Sequence, residues 1–180
     1  MASIAAQSYS GIVETLMVDG GSQDETRRLA SAFPEVRVLD NPARIQSAAL
    51  NLALAEGRGE VIIRVDGHCH LAPDYVERCV DALERTGAAM VGGAMHPVGE
   101  GWIGQGIATA LTSRLGAGPA RFHTGGASCY VDTVYLGAFR RKLAVEIGGY
   151  AEDMAINEDA EFAVRMRPHG GIWLDDTIRS

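Results

Sequence analysis

The sequence predicts an α/β protein with a mainly parallel sheet and helices on both faces. Short apolar, β-branched runs alternate with segments of helical periodicity from about residue 12 to residue 91. The 22 glycines fall mostly at turns between these segments, which is typical of an alternating α/β chain rather than of a flexible linker. Such alternation requires right-handed crossovers, and ligands of such sheets bind at the carboxyl ends of the strands.

The first elements are separated by strong turn signals. Ser22 or Asp24 can cap a helix, and Pro34 separates that helix from the strand that follows. The pattern predicts the end of a helix at 3–9, a strand at 12–18, a helix at 24–32 and a strand at 36–39.

The middle of the chain contains the clearest strand. Three successive aliphatic residues within 60–66 suit a strand covered on both faces, and the strand ends at the polar residue Asp66. Pro73 suits the first turn of a helix. We predict a helix at 44–56, the strand at 60–66, a helix at 73–85 and a strand beginning at 88–91.

The signals are weaker beyond residue 92. The sequence there predicts a helix at 101–114, a loop rich in glycine and serine at 115–130, a strand at 131–139 and a helix at 158–167. We predict a single domain over residues 1–180, because no second-domain linker interrupts the pattern.

Composition excludes several classes of protein. The formal net charge of -7 argues against a nucleic-acid partner, which requires a basic face to neutralise phosphates. The three scattered cysteines contain no CxxC pair and are typical of reduced thiols in the cytoplasm. No apolar run is long enough for a membrane span, and the N-terminus lacks the pattern of a signal peptide. An anionic nucleotide could still bind if a cation or a helix N-terminus offset its charge.

Acidic residues fall where a parallel sheet would form its binding crevice. Asp19 and Asp66 end two predicted strands, and Glu158 and Asp159 open a late helix. Acidic residues also favour loop starts and helix N-termini for structural reasons, so each one taken alone fits that interpretation as well.

Four segments, in this order, resemble the signature of family 2 glycosyltransferases, which have the GT-A fold. The last two are similar to the succinoglycan-biosynthesis type within that family. The segments are 18–26, 64–68, 131–141 with Gly148-Gly149-Tyr150, and 157–159. The resemblance implies transfer of a sugar from a nucleotide-sugar donor, most often a UDP-sugar, to an acceptor hydroxyl with inversion. It also implies a saccharide or lipid-linked saccharide acceptor at the cytoplasmic face of the membrane, in exopolysaccharide synthesis.

The resemblance assigns the metal site to Asp66, which would help to hold Mg²⁺ or Mn²⁺. The family has a D-x-D pair here, whereas this chain has Asp66-Gly67-His68. Because histidine binds Mn²⁺ better than Mg²⁺, the substitution favours Mn²⁺ with Asp66 and His68 as ligands.

The other assigned residues lie on the donor and acceptor sides. Asp19 would contact the donor's base or ribose, and Arg44 its nucleotide or pyrophosphate, although a solvated arginine at a helix start explains Arg44 equally well. Asp159 matches the general base that takes the proton of the acceptor hydroxyl, and Glu158 would support the acceptor side.

Two alternatives stay open. Asp66, His68 and His70 alternate along the chain, so an extended segment would present them on one face as a zinc hydrolase site. The resemblance also leaves the family's first strand, and segments beyond the acidic helix, unmatched. A partial GT-A domain of this kind could be a nucleotide-sugar-binding remnant without turnover. Unpaired strand edges would favour a homodimer, and membrane association would come from segments absent here.

Overall fold

The computed structural model describes residues 1–99, 101–112, 127–154 and 156–180. Helices and strands alternate through the first half of the chain, as predicted. The helices are α1 (Ala2–Ala5), α2 (Thr26–Ala30), α3 (Gln46–Glu56), α4 (Tyr75–Thr86), α5 (Gly101–Thr112), α6 (Arg141–Glu146) and α7 (Glu158–Met166), followed by a 3-10 turn at Arg167–His169. The strands are β1 (Thr15–Asp19), β2 (Val36–Asp40), β3 (Val61–Ile63), β4 (Met90–Ala94), β5 (Cys129–Val131), β6 (Tyr135–Arg140) and β7 (Ile172–Arg179).

These strands form two sheets. β1 and β2 pair in parallel as a two-stranded sheet, and the other strands form a five-stranded sheet in the order β3-β6-β4-β7-β5. In the larger sheet β4 and β7 are parallel, whereas β6 is antiparallel to both of its neighbours and β5 is antiparallel to β7. The α/β class is confirmed. The larger sheet is mixed, because not all of its later strands are connected by the helical crossovers that parallel neighbours require.

The two sheets are separate, and in the part of the chain that the structure describes their edges lack the additional strand that the resemblance left unmatched. Within the described ranges β1 pairs with β2 alone and β3 with β6 alone. The Glu14 side chain links the segments that precede β1 and β3, since the backbone N–H of Arg58 donates to Glu14 Oε1 at 2.6 Å. Among the described residues each sheet therefore has two edge strands, β1 and β2 in the smaller sheet and β3 and β5 in the larger one.

The second half of the chain differs from the sequence prediction in three places. The strand predicted at 131–139 is two strands, β5 and β6, separated by a bend that lets each pair in a different part of the sheet. Helix α6 and strand β7 were not predicted. The predicted loop at 115–130 lies mostly outside the described residues, as do the last two residues of the helix predicted at 101–114.

Two layers of apolar side chains cover the five-stranded sheet. Neighbouring residues of one strand belong to different clusters: Met90 and Phe139 to the first, Val91 and Ala138 to the second. Because successive side chains of a strand point to opposite faces, the clusters lie on opposite sides of the sheet. The first joins the sheet to α3, α6 and α7, and the second joins it to α4. Helices therefore cover both faces, as predicted.

Among the described residues, no helix combines the length and apolar character that crossing a bilayer requires.

The buried Asp175 on β7 supplies a test of the fold. Its carboxylate accepts hydrogen bonds from Thr177 N and Oγ1, Trp173 Nε1 and Arg85 Nη2, at 2.6 to 3.3 Å. Burial raises the pKa of Asp175, but these hydrogen bonds outweigh it and hold the pKa below its ordinary value. The charged form of Asp175 therefore contributes to stability.

We predict that Asp175→Asn lowers the free energy of unfolding by about 2 kcal/mol at pH 7, because charge-assisted hydrogen bonds are lost. The depressed folded-state pKa gives stability that is present above the unfolded value of about 3.9 and is lost as the pH falls through the folded value. The difference between the two proteins should therefore shrink under acid in urea titrations. Asp176→Asn, at the exposed neighbouring carboxylate, is the control and should change stability by less than about 0.5 kcal/mol. Equal losses in both variants would contradict the assignment.

Candidate active site

A cleft of about 320 Å³ opens where β3 ends, beside the start of β6 and the first turn of α7. Its wall includes Arg64, Asp66, Tyr135, Asn157 and Asp159. Asp66 and Asp159, which the sequence assigned to metal binding and proton transfer, thus line one cavity although 93 positions separate them in the chain.

The pairing of β3 with β6 holds Asp66 in this cleft. β3 ends at Ile63, but the backbone N–H of Arg64 still donates to the carbonyl of Gly137 on β6 at 3.2 Å. The segment then turns, and the N–H of Cys69 donates to the carbonyl of Asp66 at 3.1 Å. Asp66 is therefore held between a strand end and a closed turn.

Arg64 is the charged partner of Asp66. Its Nε lies 3.0 Å from Asp66 Oδ1 and its Nη2 lies 3.3 Å from Oδ2, so the two planar groups form a fork of two hydrogen bonds. Its Nη1 lies 3.7 Å from Asp159 Oδ2. Burial lowers the pKa of Arg64, but the charge and hydrogen bonds of Asp66 outweigh it and raise the pKa, so the guanidinium stays positive.

Three potential metal ligands meet beside the same turn. The ligand atoms of Asp66, His68 and Cys69 all lie within 4.8 Å of one another. His70 does not belong to this group within the described part of the chain, so the alternation that suggested a zinc site with His70 is not matched by the geometry. An oxygen, an imidazole nitrogen and a sulfur suit Mn²⁺ or a softer divalent cation better than Mg²⁺, which prefers oxygen ligands.

Cys69 also contacts the wall of the cleft. Its Sγ lies 2.6 Å from the hydroxyl oxygen of Tyr135. Burial, followed by the hydrogen bond and charge of Cys69, raises the pKa of Tyr135, so this phenol remains neutral at physiological pH. The contact fixes the turn that carries the potential ligands against β6.

The first turn of α7 carries the acidic pair. Asn157 has a left-handed backbone, with φ of 63°, and its carbonyl accepts the N–H of Glu161 at 3.0 Å. Glu158 is buried, whereas the Asp159 side chain is 53% exposed and its Oδ1 accepts the N–H of Ala160 at 2.7 Å. Asp159 is thus held in the first turn of α7 and is open to the cleft.

Asn51 fixes the loop that precedes α7. Its Oδ1 accepts the N–H of Tyr150 at 2.7 Å, and its Nδ2 donates to the carbonyl of Tyr150 and to Glu152. Gly149 has φ of 66°, and a Cβ at this position would lie 2.5 Å from Asn51 Oδ1, so glycine is required here. The Tyr150 ring stacks on Phe162 of α7 with centroids 4.1 Å apart.

Asp19 and Arg44 lie together at the end of β1, but neither is part of the wall of the cleft. Asp19 is buried, and its carboxylate accepts bonds from the hydroxyl and N–H of Ser22 and from Arg27. The Ser22 hydroxyl bond, together with these other bonds, holds the pKa of Asp19 below its ordinary value despite burial. Arg44 is exposed, with φ of 58°, and its guanidinium packs against Gly21.

A second cleft, of about 410 Å³, lies at the other ends of β1 and β2 and is lined in part by Glu14, Arg37 and Arg58. It is larger, but it contains none of the assigned residues and lies at the amino ends of its strands. Ligands of α/β sheets bind at the carboxyl ends, so the cleft at Asp66 is the better candidate.

The sequence motifs assigned no role to Arg64 or Asn51, although Arg64 lies within segment 64–68. Arg64 could have been found from its spacing, since residues i and i+2 of an extended segment lie on one face and Arg64 is opposite in charge to Asp66. Asn51 offered no comparable signal, because its partner Tyr150 is 99 positions away in the chain.

The chain is similar in sequence to known proteins. The family model described as Glycosyl transferase family 2 matches residues 1–148. The chain is 40% identical over 168 residues to the succinoglycan biosynthesis protein ExoA of Rhizobium meliloti (strain 1021), a match that covers 89% of this chain and 51% of that protein. It is 30% identical over 96 residues to the glycosyltransferase AglE of Haloferax volcanii, covering 50% of this chain and 32% of that protein. The chain therefore spans about half, or less, of the length of these relatives.

Two solved structures share the fold. The S. aureus TarS structure in complex with UDP has a TM-score of 0.75 and 14% identity, and the match covers 99% of this chain and 54% of that one. The mannosyltransferase PcManGT from Pyrobaculum calidifontis, in complex with GDP-Man and Mn²⁺, has a TM-score of 0.69 and 20% identity, covering 99% and 51%. At these identities the likeness concerns the fold alone.

We predict that Asn51→Ala lowers the free energy of unfolding by about 2 kcal/mol, because it leaves the N–H and carbonyl of Tyr150 without these partners. Urea denaturation followed by circular dichroism measures the change. Gln23→Ala is the control, since it removes an exposed amide that bonds to the nearby Gly21 carbonyl and should cost less than about 0.5 kcal/mol. A cost for Asn51→Ala no larger than the control's would contradict the role of Asn51 as a clamp.

Proposed function

The chain belongs to glycosyltransferase family 2 and has the GT-A fold, and on that premise we propose that it is an inverting glycosyltransferase. The proposed donor is a nucleotide-sugar of the UDP-sugar class, and the proposed acceptor is a saccharide or lipid-linked saccharide of exopolysaccharide synthesis. The observation that carries the proposal is the cleft in which Asp66 and Asp159 face one guanidinium.

The donor side follows from the chemistry of the leaving group. Negative charge develops on the β-phosphate oxygen as the bond to the anomeric carbon breaks. A divalent cation held by Asp66 and His68 would supply the positive charge that stabilises this oxygen. The grouping of these ligands supports the assignment, as does the Mn²⁺ named with the structural relative PcManGT.

The acceptor side requires a base on the opposite face of the sugar. We assign this role to Asp159: its carboxylate takes the proton of the acceptor hydroxyl while that oxygen bonds to the anomeric carbon, and the bonding electrons of the broken bond leave with the diphosphate. Its partial exposure and position in the cleft support the role. Glu158, buried in the same turn, supports the acceptor side.

Asp19 and Arg44 are proposed to bind the nucleoside part of the donor. Both lie at the carboxyl end of β1, the edge at which ligands of such sheets bind. The bonds of Asp19 to Ser22 and Arg27 shape this loop, and Arg44 beside Gly21 offers a charge to the diphosphate.

A nucleotide-sugar binder without turnover is the second candidate. The chain covers 51% of ExoA. We propose that residues 1–180 form a single partial GT-A domain, in which case acceptor binding would require segments outside it. A homodimer, or attachment to the cytoplasmic face of a membrane, would follow from such segments or from the unpaired strand edges. Isothermal calorimetry with UDP and Mn²⁺, combined with a donor-hydrolysis assay, distinguishes three cases: an enzyme, a binder without turnover, and a protein that does not bind the donor.

We predict that Asp159→Asn reduces sugar transfer by about 10³-fold and leaves the affinity for UDP and Mn²⁺ within about twofold, because the base acts on the acceptor and not on the donor. Transfer assays and calorimetry measure the two effects. Asp153→Asn makes the same change at an exposed carboxylate and should leave both unchanged. Loss of donor binding in Asp159→Asn would overturn the base assignment.

Asp66→Asn should weaken Mn²⁺-dependent UDP binding by at least about tenfold, because a neutral amide is a poorer ligand for the cation. Calorimetry with UDP, with and without Mn²⁺, gives the measurement. Asp74→Asn is the matched control, because its carboxylate pairs with Arg78 on α4. If Asp66→Asn retained the Mn²⁺ effect in full, the metal site would lie elsewhere.

A further inference from the structure

The guanidinium of Arg64 lies where a bound cation would have to compete with it. It donates hydrogen bonds to both carboxylate oxygens of Asp66, at 3.0 and 3.3 Å, and its third nitrogen, Nη1, lies on the side of Asp159. The Arg64 side chain is only 14% exposed, so water screens its charge poorly. Asp66 therefore has a positive partner with which a cation would compete.

A charge count shows the consequence. Asp66 contributes one negative charge to the proposed ligands, His68 and Cys69 contribute none in their neutral forms, and Arg64 cancels that charge. A divalent cation added to this group would give a net charge of about +2, or about +1 when the nearby Asp159 carboxylate is included, in a partly buried site, which is unfavourable. A diphosphate carries enough negative charge to balance both cations.

Asp159 gives the guanidinium a second position. Its Oδ2 lies 3.7 Å from Arg64 Nη1, close enough for a small side-chain movement to form a direct hydrogen bond. Arg64 can then release Asp66 to a cation without losing a carboxylate partner. The same movement would hold Asp159 in one orientation.

We propose that Arg64 is a positioning residue that makes divalent-cation binding depend on a nucleoside diphosphate: its guanidinium occupies Asp66 in the empty site and transfers to Asp159 when cation and diphosphate enter together. This inference rests on the proposed function of the cleft. It predicts positive coupling between the two ligands, which by linkage raises the affinity of each by the same factor.

The test measures Mn²⁺ affinity on the whole chain by electron paramagnetic resonance, with and without saturating UDP. The unaltered protein should bind Mn²⁺ at least about tenfold more tightly when UDP is present. Arg64→Met, which removes the charge, should bind Mn²⁺ alone about tenfold more tightly than the unaltered protein, and UDP should then add less than about threefold. Arg64→Lys keeps the positive charge and should retain most of the effect of UDP on Mn²⁺ affinity. A purely structural role of Arg64 would not predict this result.

Two further variants make the outcome decisive. Arg64→Gln also removes the charge but can still donate to Asp66, and it replaces Arg64→Met if the latter fails to fold by circular dichroism. Arg78→Met removes a half-exposed arginine on α4 and should leave Mn²⁺ binding unchanged.

Three results would overturn the proposal. If the neutral Arg64 variants bound Mn²⁺ alone no more tightly than the unaltered protein, while Asp66→Asn still abolished Mn²⁺ binding with UDP, the inference would fail and the proposed metal site would stand. Equal Mn²⁺ affinity with and without UDP in the unaltered protein would likewise overturn the inference and leave the proposed metal site standing. Undiminished Mn²⁺ binding with UDP in Asp66→Asn would overturn the metal site and this inference together.

Discussion

The antiparallel pairing of β3 with β6 is the constraint on which the cleft depends. β3 has only three residues, and its pairing partner β6 lies about 75 positions later in the chain, between β3 and β4 in the sheet. The bond from Arg64 N to Gly137 O extends this pairing past the end of β3. It carries Arg64 and Asp66 to the start of β6, where Tyr135 and the first turn of α7 meet them.

Packing on one face of the sheet then sets the position of Asp159. Phe162, on the same helix, is fully buried between Phe139 of β6 and the ring of Tyr150. These aromatic contacts fix where α7 lies, and the clamp of Asn51 on Tyr150 fixes the loop that leads into it. Asp159 reaches Arg64 because the same strand, β6, carries both the pairing that holds Arg64 and the ring that supports α7.

Sequence reasoning was most successful where structure is local. The strand–helix alternation of the first half needed only hydrophobic periodicity and turn residues, and its boundaries agree with the structure to within a few residues for α3, α4 and β2. In the second half it predicted helices α5 and α7 but failed for the strands. A single strand was expected over 131–139, but the chain bends after Val131 so that β5 joins β7 and β6 joins β3 and β4. Long-range pairing, which leaves no periodic signal, chose those partners.

The sequence alone determined the family, the α/β class and the candidate carboxylates Asp19, Asp66, Glu158 and Asp159, because motifs of fixed local spacing encode them. The tertiary structure decided which of these lie close together. It brought Asp66 and Asp159 into one cleft and left Asp19 and Arg44 at the end of a separate sheet. It also placed Cys69, rather than His70, beside His68 and Asp66. It also placed Arg64 between the two carboxylates. The physical reason is that electrostatic partnership depends on distance in space, which strand pairing and core packing set across nearly a hundred residues of chain.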